Sequence, residues 1–147
     1  MAAEYTANAL QTVGPGQNFL FTETAVACKR GLVFHRDGSG IATVSGRRRC
    51  SCAPAAVYDV TFGANIAIPE GGTVEPISIA IAVNGEVLPT SSAIVTPAAA
   101  GDFWNVKVDA DVEVPPICGC LNISIENTSG QPIEGQNANI KINRTNY

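Results

Sequence analysis

Between Tyr58 and Ile68 every second residue is apolar. Tyr58, Val60, Phe62, Ala64, Ile66 and Ile68 share one parity, while Asp59, Thr61, Gly63 and Asn65 hold the other. A period of two sustained this long belongs to an extended strand buried on one face; a helix would scatter those side chains around its circumference. The pattern recurs from Trp104 to Val114, where Trp104, Val106, Val108, Ala110, Val112 and Val114 alternate with Asn105, Lys107, Asp109, Asp111 and Glu113. This parity predicts that Trp104 points into the core and that Phe103 faces out. Pro115-Pro116 ends the run.

Shorter runs complete the pattern. Ile77, Ile79, Ile81 and Val83 lead into Asn84-Gly85, two residues suited to the positive φ of a tight hairpin. The return run EVLPTSSAIVT carries Pro89, which cannot donate to a ladder, so a kink or bulge is expected there. Leu121, Ile123 and Ile125 mark a further strand, a turn follows at 127–130, and Ala138, Ile140 and Ile142 mark the last. NFLFTETAV, GLVFH and GIATVSG supply three earlier ones, the latter two joined by a turn at 36–40. The expected total is about eight to ten strands. Ile and Val number 27 against 6 for Leu and Met, as expected of a chain whose side chains suit pleated sheet better than helix.

At 147 residues the chain is long enough for one domain with a real core and too short for a multidomain enzyme. The reading divides it into an N-terminal arm, 1–16, whose decapeptide AAEYTANALQ is the one helical candidate, and a single β domain, 17–147. The expected fold is all-β, with two packed antiparallel sheets in a jelly-roll sandwich.

Charged residues make up only 15% of the chain and the formal net charge is −4, which offers no surface for neutralising phosphates; a nucleic-acid partner is not expected. No apolar run approaches the roughly 20 residues that span a bilayer. The opening residues also lack the basic start and apolar segment of a secretory signal, so the expectation is an unexported, soluble product with no membrane partner. Three Asn-x-Ser/Thr triplets begin at Asn122, Asn127 and Asn143; in a chain with 11 asparagines they carry no functional weight.

The segment from Gly63 to Ile142 resembles the trimeric tumour-necrosis-factor and complement-C1q-like jelly rolls of Firmicutes and their phages. Among these it is similar to the C-terminal domains of collagen-like spore-surface glycoproteins and to small head-decoration or fibre proteins of prophages. The resemblance rests on four features: the strand ending Ile66-Ala-Ile68-Pro69, the Ile77 to Val83 strand into Asn84-Gly85-Glu86, the Trp104 strand, and the closing Ile123-Ser-Ile125-Glu-Asn127-Thr through Asn137-Ala-Asn-Ile140. It covers the last 90 residues or so well and the earlier ones loosely. The chain departs from the spore proteins in carrying no Gly-X-Y stalk. The resemblance implies a homotrimer, with fold alone conferring no activity.

Residues able to carry chemistry are few. Five cysteines occur as Cys28, Cys50-Ser-Cys52 and Cys118-Gly-Cys120. Each C-x-C places two sulfurs on one side of an extended segment, a poor match to the wider knuckles of zinc sites, so no metal is expected. Disulfides between Cys50, Cys52, Cys118 and Cys120 would suit an extracellular particle, and reduced, packed thiols would suit a cytosolic one; both stand open. Cys28 reads as a small buried hydrophobe or as a thiol paired across subunits. His35 is the one histidine, and its turn with Asp37 yields no base–nucleophile pair. Asp109, Asp111 and Glu113 read as a solvated strand face without the turn of a calcium loop. Arg47, Arg48 and Arg49 hold a third of the nine basic residues and suit contact with an acidic neighbouring subunit or an anionic group.

The functional expectation is therefore a non-enzymatic structural protein of a phage particle: a trimeric capsid decoration or head-fibre protein, made in the bacterial cytoplasm and placed on the virion surface through the arm. Its partners would be its own copies and the major capsid protein, with no cofactor. The alternative is a carbohydrate- or receptor-binding module on a phage, spore or bacterial surface, using the loops 97–101 and 127–136, with Trp104 as a sugar-stacking option.

Overall fold

The computed structural model describes residues 2–28, 31–46, 55–115 and 119–145. Twelve strands run among them: β1 (Ala2–Ala7), β2 (Gln11–Val13), β3 (Glu23–Val26), β4 (Val33–His35), β5 (Ala42–Ser45), β6 (Ala56–Ala67), β7 (Ile77–Val83), β8 (Glu86–Val87), β9 (Ala93–Val95), β10 (Trp104–Val114), β11 (Cys120–Asn127) and β12 (Ile133–Arg144). They form two antiparallel sheets. The first has the order β10-β6-β12-β1-β3, with β2 also on β12; the second has the order β4-β5-β11-β7-β8, with β9 also on β7.

The long alternating segment becomes the axis of the first sheet. β6 pairs with β10 from Ala56–Val114 to Ile66–Trp104 and, on its other edge, with β12. Its apolar parity is fully buried and meets Ile77, Ile79 and Ile81 of β7 and Ile123 and Ile125 of β11 in one cluster. Phe62 also takes the rings of Phe19 and Phe21, at centroid distances of 5.1 and 6.1 Å. Gly135 sits against this cluster so closely that a Cβ there would overlap the Phe19 ring. Burying branched side chains from both sheets removes their apolar surface from water, the main force holding such a sandwich closed.

Local turn rules hold where the sequence states them. Asn84 and Gly85 adopt φ of 51° and 82°, the two positive values that let β7 turn tightly into β8. Pro89 breaks the return run, which becomes β8, a 3-10 turn at Pro89–Ser91 and β9. That split, together with β1 and β2, raises the strand total above the eight to ten expected.

Two expectations are corrected. The first residues are neither an arm nor a helix: β1 lies inside the first sheet, paired with β12 from Ala2–Asn143 to Ala7–Ala138, and with β3 on its other edge. Ala3, Tyr5 and Ala7 are buried, so these residues belong to the core of the domain. Trp104 does not enter the core and is 51% exposed, although Val106, Val108, Val112 and Val114 of the same parity are buried. β10 is an edge strand, and its first residue has a neighbouring strand on one side only.

Candidate functional site

His35 closes β4 under the turn that leads to β5. Its side chain is wholly buried, its Nε2 lies 2.8 Å from the Ser39 carbonyl oxygen, and its ring stacks 4.4 Å from that of Tyr5. Nδ1 has no hydrogen-bond partner and stands 4.0 Å from the Asp37 carboxylate, which accepts a bond from the Thr24 hydroxyl at 2.8 Å. Both ring nitrogens thus face oxygen acceptors within a structural turn. The arrangement braces that turn.

Only some of the cysteines and arginines singled out from sequence lie among the described residues. Cys120 is exposed at the start of β11, opposite Ser45. Cys28 is half-buried and packs against the core. Cys50, Cys52, Cys118, Arg47, Arg48 and Arg49 lie outside the described residues. Beside Ser45 the buried Tyr58 hydroxyl donates to the Ser45 carbonyl at 2.6 Å, and the Arg144 guanidinium lies 6.0 Å from the Tyr58 ring centroid. Burial holds the Tyr58 phenol above its ordinary pKa, with Arg144 acting in the opposite direction.

Register brings together groups that linear reading kept apart. Asp111 of β10 lies directly opposite Asp59 of β6 on the outward face, with Asp109 and Glu113 beside it. Desolvation, then the charges of Asp111 and Asp109, raise the Asp59 carboxyl above its usual value. Among the described residues no group of three or more His, Cys, Asp or Glu side chains is placed to hold a metal ion. The acidic row is a strand face that repels itself.

Further along the same face the chemistry changes. Asn105 lies opposite Asn65, which lies opposite Gln136, and the Asn105 Nδ2 donates to the Asn65 Oδ1 at 3.1 Å. Phe103 and Trp104, both exposed, precede Asn105 in the chain, but Trp104 keeps the inward parity of Val106 and so lies on the other side of the sheet. Sequence reading noticed the aromatics but not the carboxamides, whose only signal was an outward Asn on each of two alternating strands. The loops 97–101 and 127–136 do share one end of the sandwich: Gly101 donates to the Ile68 carbonyl, and Glu134 pairs with Ala67. However, 133–136 belong to β12 and Asn127 to β11, which leaves a shorter loop than expected. A separate groove, lined in part by Gln11, Gln17, Leu20 and Ile41, runs beside β2.

No family model matches the sequence, and no curated protein matches it. Among solved structures the chain is similar to Eiger TNF from S. frugiperda, with a TM-score of 0.68 at 13% identity over 98% of this chain and 91% of that one. It is similar also to the globular domain of zebrafish complement 1qA protein, with a TM-score of 0.55 at 12% identity over 96% and 94% of the two chains. The two sheets thus form a jelly roll, the fold of both these structures. The PRD1 vertex protein P5 shares it, with a TM-score of 0.52 at 10% identity over 99% of this chain and 96% of that one. The expected jelly roll is thereby shown, and at these identities the likeness is one of fold.

Proposed function

We propose that this chain is a non-enzymatic structural protein of a phage particle, a capsid decoration or head-fibre protein displayed on the virion surface as a homotrimer. The observation that carries this reading is the end-to-end likeness to a phage vertex protein, which leaves almost no part of either chain unmatched. Three features support it. The sequence resembles prophage jelly rolls, which implies threefold assembly. The imidazole of His35 is committed to a turn. The surface depends on Asn, Ser and Thr, with only 15% of residues charged.

Attachment to a major capsid protein then falls to the surface of the folded domain, because the first residues are interior to a sheet. Native mass spectrometry and immunogold labelling of particles released by the producing bacterium test the proposal. The expected results are an assembly of three times the chain's 15.2 kDa and label on the capsid exterior. A monomer, with unlabelled particles, would overturn it.

A further inference from the structure

His35 is the last residue of β4, an edge strand of the second sheet, and its ring reaches across to the first. It stacks 4.4 Å from Tyr5 of β1 and meets Phe21 edge-on at 6.1 Å. A carbonyl oxygen only accepts, so Nε2, 2.8 Å from the Ser39 carbonyl, carries a proton. In a neutral imidazole Nδ1 is then a bare lone pair. Here that nitrogen is wholly buried, has no hydrogen-bond partner, and faces the Asp37 carboxylate at 4.0 Å. A buried acceptor aimed at a negative oxygen is unfavourable twice, as an unmet polar atom and as a repulsion. A second proton on the ring removes both, because Nδ1–H then points at the carboxylate.

Burial of the ring opposes a charge on it. Three contacts favour the charge: the Asp37 carboxylate, the Ser39 oxygen, and the face of the Tyr5 ring, which attracts a cation within about 6 Å of its centre. Other ionisable groups around the ring are few: Tyr5 itself, the exposed Arg36 beside Asp37, and Cys28, which acts on Tyr5 from beyond β3. Phe21 and Ala42, which also adjoin His35, bring none. Burial, ahead of the charges of Cys28 and Asp37, holds the Tyr5 phenol above its ordinary pKa, so it is neutral wherever an imidazole titrates. We propose that His35 is a proton-operated clasp between the two sheets: its imidazolium draws in Asp37 and locks the turn 36–39 onto the segment that leads into β3. The links to be tightened are in place, since Asp37 accepts from Thr24 of β3, Phe21 donates to the Ser39 carbonyl, and Gly38 donates to the Phe21 carbonyl. β3 is exposed along all four residues and pairs with β1 alone, so these links hold an edge that its own packing does not. Only the folded chain gives Nδ1 an acceptor, so it binds the second proton more tightly than the unfolded chain. The clasp is therefore closed on the acid side while Asp37 is ionised, and its contribution is lost as pH rises and the folded ring gives the proton up. This device goes beyond the particle role and does not depend on it.

His35 is the one histidine, so its ring signals are unambiguous. The test is a pH titration of the isotope-labelled protein, with both ring nitrogens followed by NMR and the backbone amides by hydrogen exchange corrected for its intrinsic pH dependence. The expected result is a ring that holds its second proton about tenfold more tightly in the folded chain than in urea, and reverts on deprotonation to the form with its proton on Nε2. Protection of the Phe21 and Gly38 amides is expected to rise as the ring gains that proton. Asp37→Asn removes the charge but keeps an oxygen for Thr24, and the Asp37 side chain is 61% exposed. This variant is expected to fold, to lose most of the tenfold difference, and to show amide protection independent of the ring. Equal thermal midpoints for parent and variant at alkaline pH, where the clasp is open in both, serve as the folding control. A ring that takes its second proton no more readily folded than unfolded, a titration indifferent to Asp37→Asn, or amide protection that ignores the charge on the ring would each overturn the proposal.

Discussion

Asn127 is fully buried, and every part of its amide is used. Nδ2 donates to the Val13 carbonyl at 2.9 Å and to the Gln131 carbonyl at 3.0 Å, while Oδ1 accepts from the Ser129 N–H at 2.9 Å. One side chain thus bolts β2, the end of β11 and the turn into β12. Asn127→Ala strands two carbonyls and an N–H in the interior, and each unmet buried group costs about 1–3 kcal/mol. The expected loss is about 2–4 kcal/mol in denaturant unfolding, with the slope unchanged. The same geometry disposes of the triplet Asn127-Thr-Ser129 as a glycosylation acceptor, because its nitrogen is engaged and inaccessible. From sequence, Asn127 reads as the first residue of a turn, whereas it ends β11. Its role as a bolt is not legible there, because Val13 lies 114 positions away. Trp104 shows the converse: parity tells which way a residue points, but not whether the sheet opposite still extends to cover it.

At the level of elements, what local chemistry dictates is what the sequence discloses. The Asn84-Gly85 hairpin, the break at Pro89 and the buried parity of β6 each follow from a few adjacent residues. β1 escaped because Ala3 and Ala7 flank a single Tyr5, too little apolar contrast to separate strand from helix, and its place is fixed only by pairing with the distant β12. Burial of the Asp59 carboxyl, with the charge of Asp111 that register sets opposite it, predicts a pH dependence. A carboxyl whose folded pKa is raised contributes stability below its unfolded value, near 3.8, and that contribution is lost as pH rises through the folded value. At neutral pH Asp59 is therefore ionised at a cost. Asp59→Asn is expected to be more stable than the parent at pH 7, by about half a kcal/mol, the scale of exposed cross-strand pairs. Thermal midpoints measured across pH should converge below pH 3.8. A gain that persisted there would point to packing instead of charge. The repulsion also has a use, since a row of carboxylates along the edge strand β10 discourages it from pairing with a stray strand.

For the molecule as a whole, class and architecture were legible because alternation, turn spacing and β-branched content all pointed one way. The candidate sites were less so. Carboxylates and carboxamides acquire their neighbours only through strand order, and no rule of spacing supplies that order. The interior position of β1 also changes what a truncation does. Deleting residues 2–7 would uncover an edge of β12 and remove the buried Tyr5. The expected outcome is an insoluble or unfolded product rather than a detached but folded domain, because the loss rivals the ~5–15 kcal/mol that holds a typical domain together. Circular dichroism and size-exclusion chromatography of the deletion would decide. The place of β12 carries a consequence for biosynthesis. This strand is made after all the others described, yet it occupies the middle of the first sheet, between β6 and β1. On the ribosome β6 and β1 must wait with unpaired edges until it emerges, so the first sheet cannot close before translation has passed Arg144.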